Sequence, residues 1–298
     1  MKNYNFDTLP SLFKDKKWLK RTIEVENAFL NIRNSLCKKF QKLENEFCTI
    51  KSLKPSNFKK KIWIRNKINN EYGGGTSMIL KGRLFEKVGV NISTVSGVFP
   101  KDFKNKIKGA SKDPRFFATG ISVVAHMYSP FIPAAHYNSR FIVTKDAWFG
   151  GGCDLTPTFY QLAIKKKFHK MLKDFCDAHN KNYYKKFSKW CKEYFFLKHR
   201  NEERGIGGIF FDYLDNDWEK NFNFTCQTGE FFNKSFCSFI NQYRNKEWTS
   251  IHRKKLFDKR SKYAEFNLLY DKGTLFGLKT NGNIEAILMS MPPLASWS

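Results

Sequence analysis

The sequence lacks the features that a membrane-spanning protein or a small secreted scaffold would need. No apolar run approaches the roughly 18 residues that a transmembrane helix requires. The segment Met1 to Phe13 contains no continuous apolar core of a secretory signal. Cysteine is sparse: the seven, at positions 37, 48, 153, 176, 191, 226 and 237, form no Cys-x-x-Cys pair. That excludes a zinc ribbon and a dithiol redox motif. An odd number of cysteines in a chain of 298 residues also speaks against a disulfide framework, and the expectation is reduced thiols in the cytoplasm. Internal repeats and Pro- or Ser-rich linkers are missing, so one domain over residues 1–298 is expected.

Acidic residues are also scarce, 27 Asp and Glu against 53 Lys and Arg, for a net charge of +26. Such an excess ordinarily points to nucleic acid, an acidic membrane or an anionic substrate. Only 11 of the 53 are Arg, however, and the Lys are spread along the whole chain. Lys, Asn, Phe and Ile are abundant together, as drift toward AT-rich codons would produce. No nucleic-acid-binding module is recognisable, so the expected partner is not nucleic acid. A positive field would still help to gather a polyanionic small molecule. The apolar content, 41% with 31 Phe, is ample for a core.

Along the chain, Phe29, Ile32, Leu36, Phe40, Leu43 and Phe47 recur at helical steps and make residues 1–50 an amphipathic helical region. A basic connector follows over Lys51 to Lys61. From Gly73 onward, short alternating runs predict strands: Val88 to Ile92, Ile121 to Met127, Arg140 to Thr144, and Trp148 to Phe149. Helices are expected over about Tyr160 to His179, Asn182 to His199 and Asp217 to Trp248, with a short apolar run, Ile209 to Phe211, after a Gly-rich break. Three strand-like runs close the chain: Tyr263 to Tyr270, Thr274 to Lys279 and Ile284 to Ser290. Short turns between neighbouring strands favour antiparallel pairing and an α+β fold.

Alternation along a strand puts Ser122, Val124 and His126 on one face, and His136, Asn138 and Arg140 on one face of the next run. If the two runs pair across Ser129–Pro133, two imidazoles, a hydroxyl, an amide and a guanidinium converge. Such a set titrates near neutrality and clamps a carboxylate. An ordinary solvated strand face would look the same. His169 and His199 fall on helical stretches, where a hydrogen-bonded core or boundary His is the commoner outcome, and no zinc-binding spacing joins them. In Trp148-Phe-Gly-Gly-Gly-Cys-Asp154-Leu-Thr-Pro157, the three glycines suggest backbone passing close to something flat or bulky. Asp154 there reads either as a base or as the cap of a following helix. Gly73-Gly-Gly-Thr-Ser-Met lacks a phosphate-loop Lys, and Gly273 to Thr280 lacks the second Gly, so nucleotide binding is not expected.

Read together, these segments resemble the oxygen-dependent coproporphyrinogen III oxidases, the aerobic enzymes of heme synthesis. The resemblance rests on Gly73-Gly-Gly-Thr-Ser, Val88-Gly-Val-Asn-Ile-Ser, the His126 to Arg140 block and Trp148 to Pro157. It continues through Leu197-Lys-His-Arg-Asn-Glu-Glu-Arg-Gly-Ile-Gly-Gly-Ile-Phe-Phe-Asp212, Tyr263 to Leu278 and Ile287 to Pro293, in family order from about residue 70 onward. It implies conversion of two propionates of coproporphyrinogen III to vinyls, giving protoporphyrinogen IX, with O2 as electron acceptor and no organic cofactor. It also implies a homodimer and a large antiparallel sheet flanked by helices on both sides, with residues 263–298 as the dimer region. By the same resemblance His136 is a proton donor, and Ser122, Asn138, Ser139, Arg140, Asn281, Gly282 and Asn283 are substrate contacts. His126, His136, His169 and His199 match positions assigned to a divalent metal, Mn being the expected ion.

The chemistry suits the residues. A tetracarboxylate has an obvious partner in Arg140, and Asp154 can orient or deprotonate a pyrrole N–H while His136 manages protons. Arg204 can hold a carboxylate or a peroxide. Three departures from the family stand out: Asn283 replaces the usual Arg, the Thr144 to Trp148 stretch is short, and the sequence stops at Ser298. A non-catalytic porphyrin-binding relative is the alternative that Asn283 and the stop at Ser298 favour. Retention of the four His, Asp154 and Arg140 favours the enzyme.

Overall fold

A computed structural model describes residues 9–65, 72–99, 105, 107–279 and 282–297. Its centre is a seven-stranded, wholly antiparallel sheet. Strands β1 (Lys59–Ile64), β2 (Tyr72–Leu80), β3 (Phe85–Val98), β4 (Arg115–Met127), β5 (Ala134–Val143) and β6 (Ala147–Thr156) lie in chain order, and β9 (Gly208–Leu214) closes the far edge beside β6. A small hairpin, β7 (Phe196–Leu197) with β8 (Glu202–Glu203), precedes β9.

The helices divide between the two faces. Helix α1 (Lys16–Ile50) is started by Asp15, whose carboxylate accepts from the Lys17 amide, and it buries Phe29, Ile32, Leu36, Phe40 and Leu43, the stripe anticipated from spacing. Helices α2 (Leu162–His179), α3 (Tyr183–Tyr194) and α4 (Trp218–Tyr243) pack with it on one side of the sheet. On that side β5 contributes Ala135, Tyr137, Phe141 and Val143. Tyr137 stacks on Phe232 with ring centroids 5.3 Å apart, and α4 comes this close because residue 229 is Gly: a Cβ there would lie 2.6 Å from the Tyr137 hydroxyl.

The opposite side carries helices α5 (Ser250–Leu269), α6 (Lys272–Lys279) and α7 (Ile284–Ile287), so the α+β expectation with helices on both sides holds. Its details do not, because the three closing runs are helical rather than strands. The reason lies in what α5 buries. Leu256, Arg260, Tyr263, Ala264 and Asn267 form its inner stripe, so charged and amide side chains occupy positions where a helical pattern of apolar residues would be sought. Arg253 and Arg260 both reach Glu86, at 3.0 and 2.7 Å, and Arg260 also donates to the Met127 carbonyl. Beyond α7, Met289 fills the space above Gly89 of β3. The second expected helix of the pair likewise stops at Tyr194, where the β7–β8 hairpin begins, and β1 rises out of the basic connector.

Candidate active site

The pairing of β5 with β4 and β6 brings polar residues from three strands onto one face. Asn138 lies opposite Ser122, and His136 lies opposite Val124 on one side and Asp154 on the other. Burial along β5 alternates strictly, with the even-numbered residues turned toward this face. The anticipated hairpin is therefore real.

The functional groups form a continuous line. His136 Nδ1 lies 2.8 Å from Asp154 Oδ1. The Asn138 side-chain amide lies 3.0 Å from His136 Nε2; an NH2 group only donates, so Nε2 accepts and Nδ1 carries the proton given to Asp154. Asn138 Oδ1 in turn accepts from Arg140 at 3.4 Å, and Arg140 Nη2 reaches Asp212 Oδ2 at 2.7 Å. Trp148 Nε1 closes the line by donating to the other Asp212 oxygen at 3.1 Å. At the opposite end Arg204 pairs with Asp154 Oδ2.

Electrostatics set the state of the buried end. Asp154 is 3% exposed and Arg204 1%. Burial alone would raise the Asp154 pKa, but Arg204 and His136 more than offset it, so the carboxyl titrates below its ordinary value and is ionised at neutral pH. Arg204 is enclosed by the rings of Phe195, Tyr263 and Phe266, at 4.0, 4.6 and 4.8 Å from their centroids. Helix α5, with Tyr263 and Phe266, and Phe195 at the C-cap of α3 thus build the box that holds one arginine. Asp154 lies inside β6, and α2 begins only at Leu162 with Gln161 at its N-cap, so the helix-cap reading of Asp154 is excluded.

Several expected site residues lie elsewhere. Ser139 is an odd-numbered neighbour, so its hydroxyl faces α4 and donates to the Thr225 carbonyl at 3.4 Å on the core side. Asn283 caps α7, accepting from the Ala286 amide at 2.9 Å, and Gly282 packs against Gly277 and Ile287. Asn281 lies outside the described residues. The space above Gly150 is taken by Arg140 and Asp212 of this chain, since a Cβ there would lie 2.9 Å from Arg140 Nε. The glycine that suggested an approaching ligand accommodates the arginine itself.

The four histidines expected to share a metal are not brought together. His126, buried, places Nε2 3.0 Å from the Ser290 carbonyl, and burial, with Arg260 nearby, lowers its pKa to about 3. His169 is held by Tyr184 and the Ile206 carbonyl, at 3.0 and 2.8 Å, and burial lowers its pKa. His199 is held by Tyr270 and Glu265, at 2.9 and 2.8 Å. With His136 committed to Asp154 and Asn138, three of the four rings have both nitrogens engaged by protein groups. Among the described residues no three His, Cys, Asp or Glu are grouped to hold an ion. This donor arrangement does not fit the expected metal.

Asp212 was not anticipated as a site residue, although it ends one of the matching blocks. Its signal was the Gly208–Leu214 strand itself: alternation places Phe210 and Asp212 on the face of Gly152 and Arg140.

The profile of the family described as "Coproporphyrinogen III oxidase" matches residues 24–298. The oxygen-dependent coproporphyrinogen-III oxidase of Rickettsia rickettsii (strain Sheila Smith) is 50% identical over 266 residues, covering 89% of this chain and 94% of the relative. The protein of the same name from Rickettsia bellii (strain OSU 85-389) is 47% identical over 281 residues, 94% and 99% of the two chains. That from Rickettsia akari (strain Hartford) is 49% identical over 270 residues, 90% and 95%.

Proposed function

The chain belongs to the coproporphyrinogen III oxidase family, and from that premise we propose how its residues divide the work. The reaction is the oxygen-dependent oxidative decarboxylation of two propionates of coproporphyrinogen III to vinyls, in heme biosynthesis. Each turn loses CO2 from a propionate carboxylate and the equivalent of a hydride from the methylene bonded to the pyrrole ring, the electron pair of the broken C–C bond becoming the vinyl π bond. O2 takes the hydride's electron pair and, with one further proton, leaves as H2O2.

The observation that carries our assignment is the line from Arg204 through Asp154 and His136 to Arg140. Of the His136–Asp154 pair, His136 is the member turned toward the open face, with 15% of its side chain exposed against 3% for Asp154, so it is the group that exchanges protons with the substrate or reduced oxygen. Asp154 stands behind it with both oxygens engaged. An ionised carboxylate there fixes the imidazole tautomer and steadies the imidazolium that forms when a proton is taken up. Its lowered pKa makes it a poor base for a pyrrole N–H, so a charge-stabilising role suits it better than deprotonation. Arg140, held by Asp212, clamps a substrate carboxylate, and Ser122 and Asn138 flank that position.

We further assign the whole chain to one catalytic domain that works as a homodimer. Exposed Ile62 and Ile64 on edge strand β1 support pairing, since an open strand edge is a template for association. The closing segment, being helical, cannot pair as strands. Among the described residues no helix is long and apolar enough to cross a membrane. The seven cysteines are all free, which favours the reducing cytoplasm.

The test is incubation of the purified protein with coproporphyrinogen III in air and under argon, before and after treatment with a chelator, with products separated by fluorescence chromatography. Protoporphyrinogen is expected in air, with or without the chelator, and not under argon. No product in air would overturn the functional reading. An Asp154→Asn protein with wild-type turnover would overturn the role given to that carboxylate.

A further inference from the structure

The site face does not end at Ser122. Opposite Ser122 in the register lies Asn91 of β3, and opposite Asn91 lies Ser77 of β2, so Ser77, Asn91, Ser122 and Asn138 form one polar row across four strands. At about 4.8 Å per strand the row spans about 14 Å, room for a macrocycle with its arms extended. On β1 the residue opposite Ser77 is Lys61, paired with Glu285, and Trp63, two residues along, lays its indole over Gly75, where a Cβ would come 2.5 Å from Cζ2.

Asn91 is held in one orientation. Trp63 Nε1 lies 3.3 Å from Asn91 Oδ1 and the Ser77 hydroxyl 3.0 Å from the same atom. Indole N–H is a donor with no acceptor capacity, so the atom facing it must be the amide oxygen. The Asn91 NH2 therefore points away from both donors. Its side chain is half-buried and lies on the face shared with Ser122.

We propose that Asn91 is a second carboxylate-binding point, donating its amide N–H to a propionate on the side of the macrocycle remote from Arg140. The inference rests on the functional reading above, in which the substrate carries four carboxylates. One guanidinium, held at β5 by Asp212, cannot meet carboxylates on opposite sides of the ring. Asn91 is the fixed donor two strands away.

The test is equilibrium binding of coproporphyrinogen III under argon, where no O2 is available for turnover, to the wild type and to Asn91→Asp, Asn91→Leu and Trp63→Phe, with thermal unfolding of each. Asn91→Asp still accepts from Trp63 and Ser77 but presents an anion, so its Kd should rise at least tenfold while its stability stays near wild type. Asn91→Leu should bind less weakly than Asn91→Asp yet unfold at a lower temperature, because it strands the donors of Trp63 and Ser77. Trp63→Phe should raise Kd about threefold by freeing the amide. A purely structural Asn91 would make Leu the worse variant in both measurements. Wild-type affinity in Asn91→Asp would overturn the proposal. Failure of the functional reading would register separately, as no product from the wild type in air.

Discussion

The two faces of β5 differ in what holds their side chains. Toward α1 and α4, Ala135, Tyr137, Phe141 and Val143 are buried among apolar neighbours, and Phe141 touches the rings of Trp18, Phe149 and Trp218. Toward the site, His136, Asn138 and Arg140 each have named polar partners and remain partly exposed. The first face is fixed by volume, since dispersion and burial accept any residue that fills the space. The second is fixed by direction, since each hydrogen bond decides where the next donor points. One strand thus carries stability on one side and chemistry on the other, one residue apart.

Mutations should separate the two. His136→Gln leaves the core face untouched and should lower turnover by roughly 10²- to 10⁴-fold, the range for removing a general acid–base group, with little change in thermal unfolding. Phe141→Ala should show the reverse. Loss of a buried Phe costs about 3–5 kcal/mol, so denaturant midpoints should fall sharply while KM for the folded fraction is kept. A KM shift in that variant would mean that the faces are mechanically coupled. Asp212→Asn sharpens the comparison at its mildest point. It keeps the Trp148 hydrogen bond and weakens the hold on Arg140, a charge-assisted contact typically worth about 1.5–3 kcal/mol. KM for coproporphyrinogen III should rise about tenfold with kcat nearly unchanged; an equal fall in kcat would instead place Asp212 in the chemical step.

The site also contrasts with the buried ion cluster of Glu86, Arg253 and Arg260. Glu86 is likewise held below its ordinary pKa, burial being outweighed by two arginines. Both arginines come from α5, and the cluster fastens that helix to the sheet. A buried carboxylate with arginine partners is therefore not a mark of catalysis by itself. The Asp154 pair differs because a partly exposed imidazole, that of His136, stands in front of it.

Much of this was legible in residue order. The stripe of α1, the β4–β5 hairpin, and the shared face of His136, Asn138 and Arg140 follow from periods of 3.6 and 2, which depend only on local backbone geometry. Asp154 and Arg140 were identifiable as candidate groups, and the family was recognisable from its long blocks. Ser139 shows the limit of carrying contacts over by adjacency, because alternation turns its side chain into the core. The closing helices escaped because Arg260 and Asn267 occupy their buried stripe, and such residues fit an inner face only once Glu86, the Met127 carbonyl and Ser290 are in place.

Sequence alone determined the central strands β3 to β6, helices α1, α2 and α4 and the candidate groups, since propensity and alternation act over a few residues. Tertiary structure alone decided that Arg204, fifty positions from Asp154, neutralises it inside an aromatic box. It likewise decided that Asp212 aims Arg140 and that the four histidines stay apart, because long-range electrostatics and hydrogen-bond direction exist only after distant segments have packed.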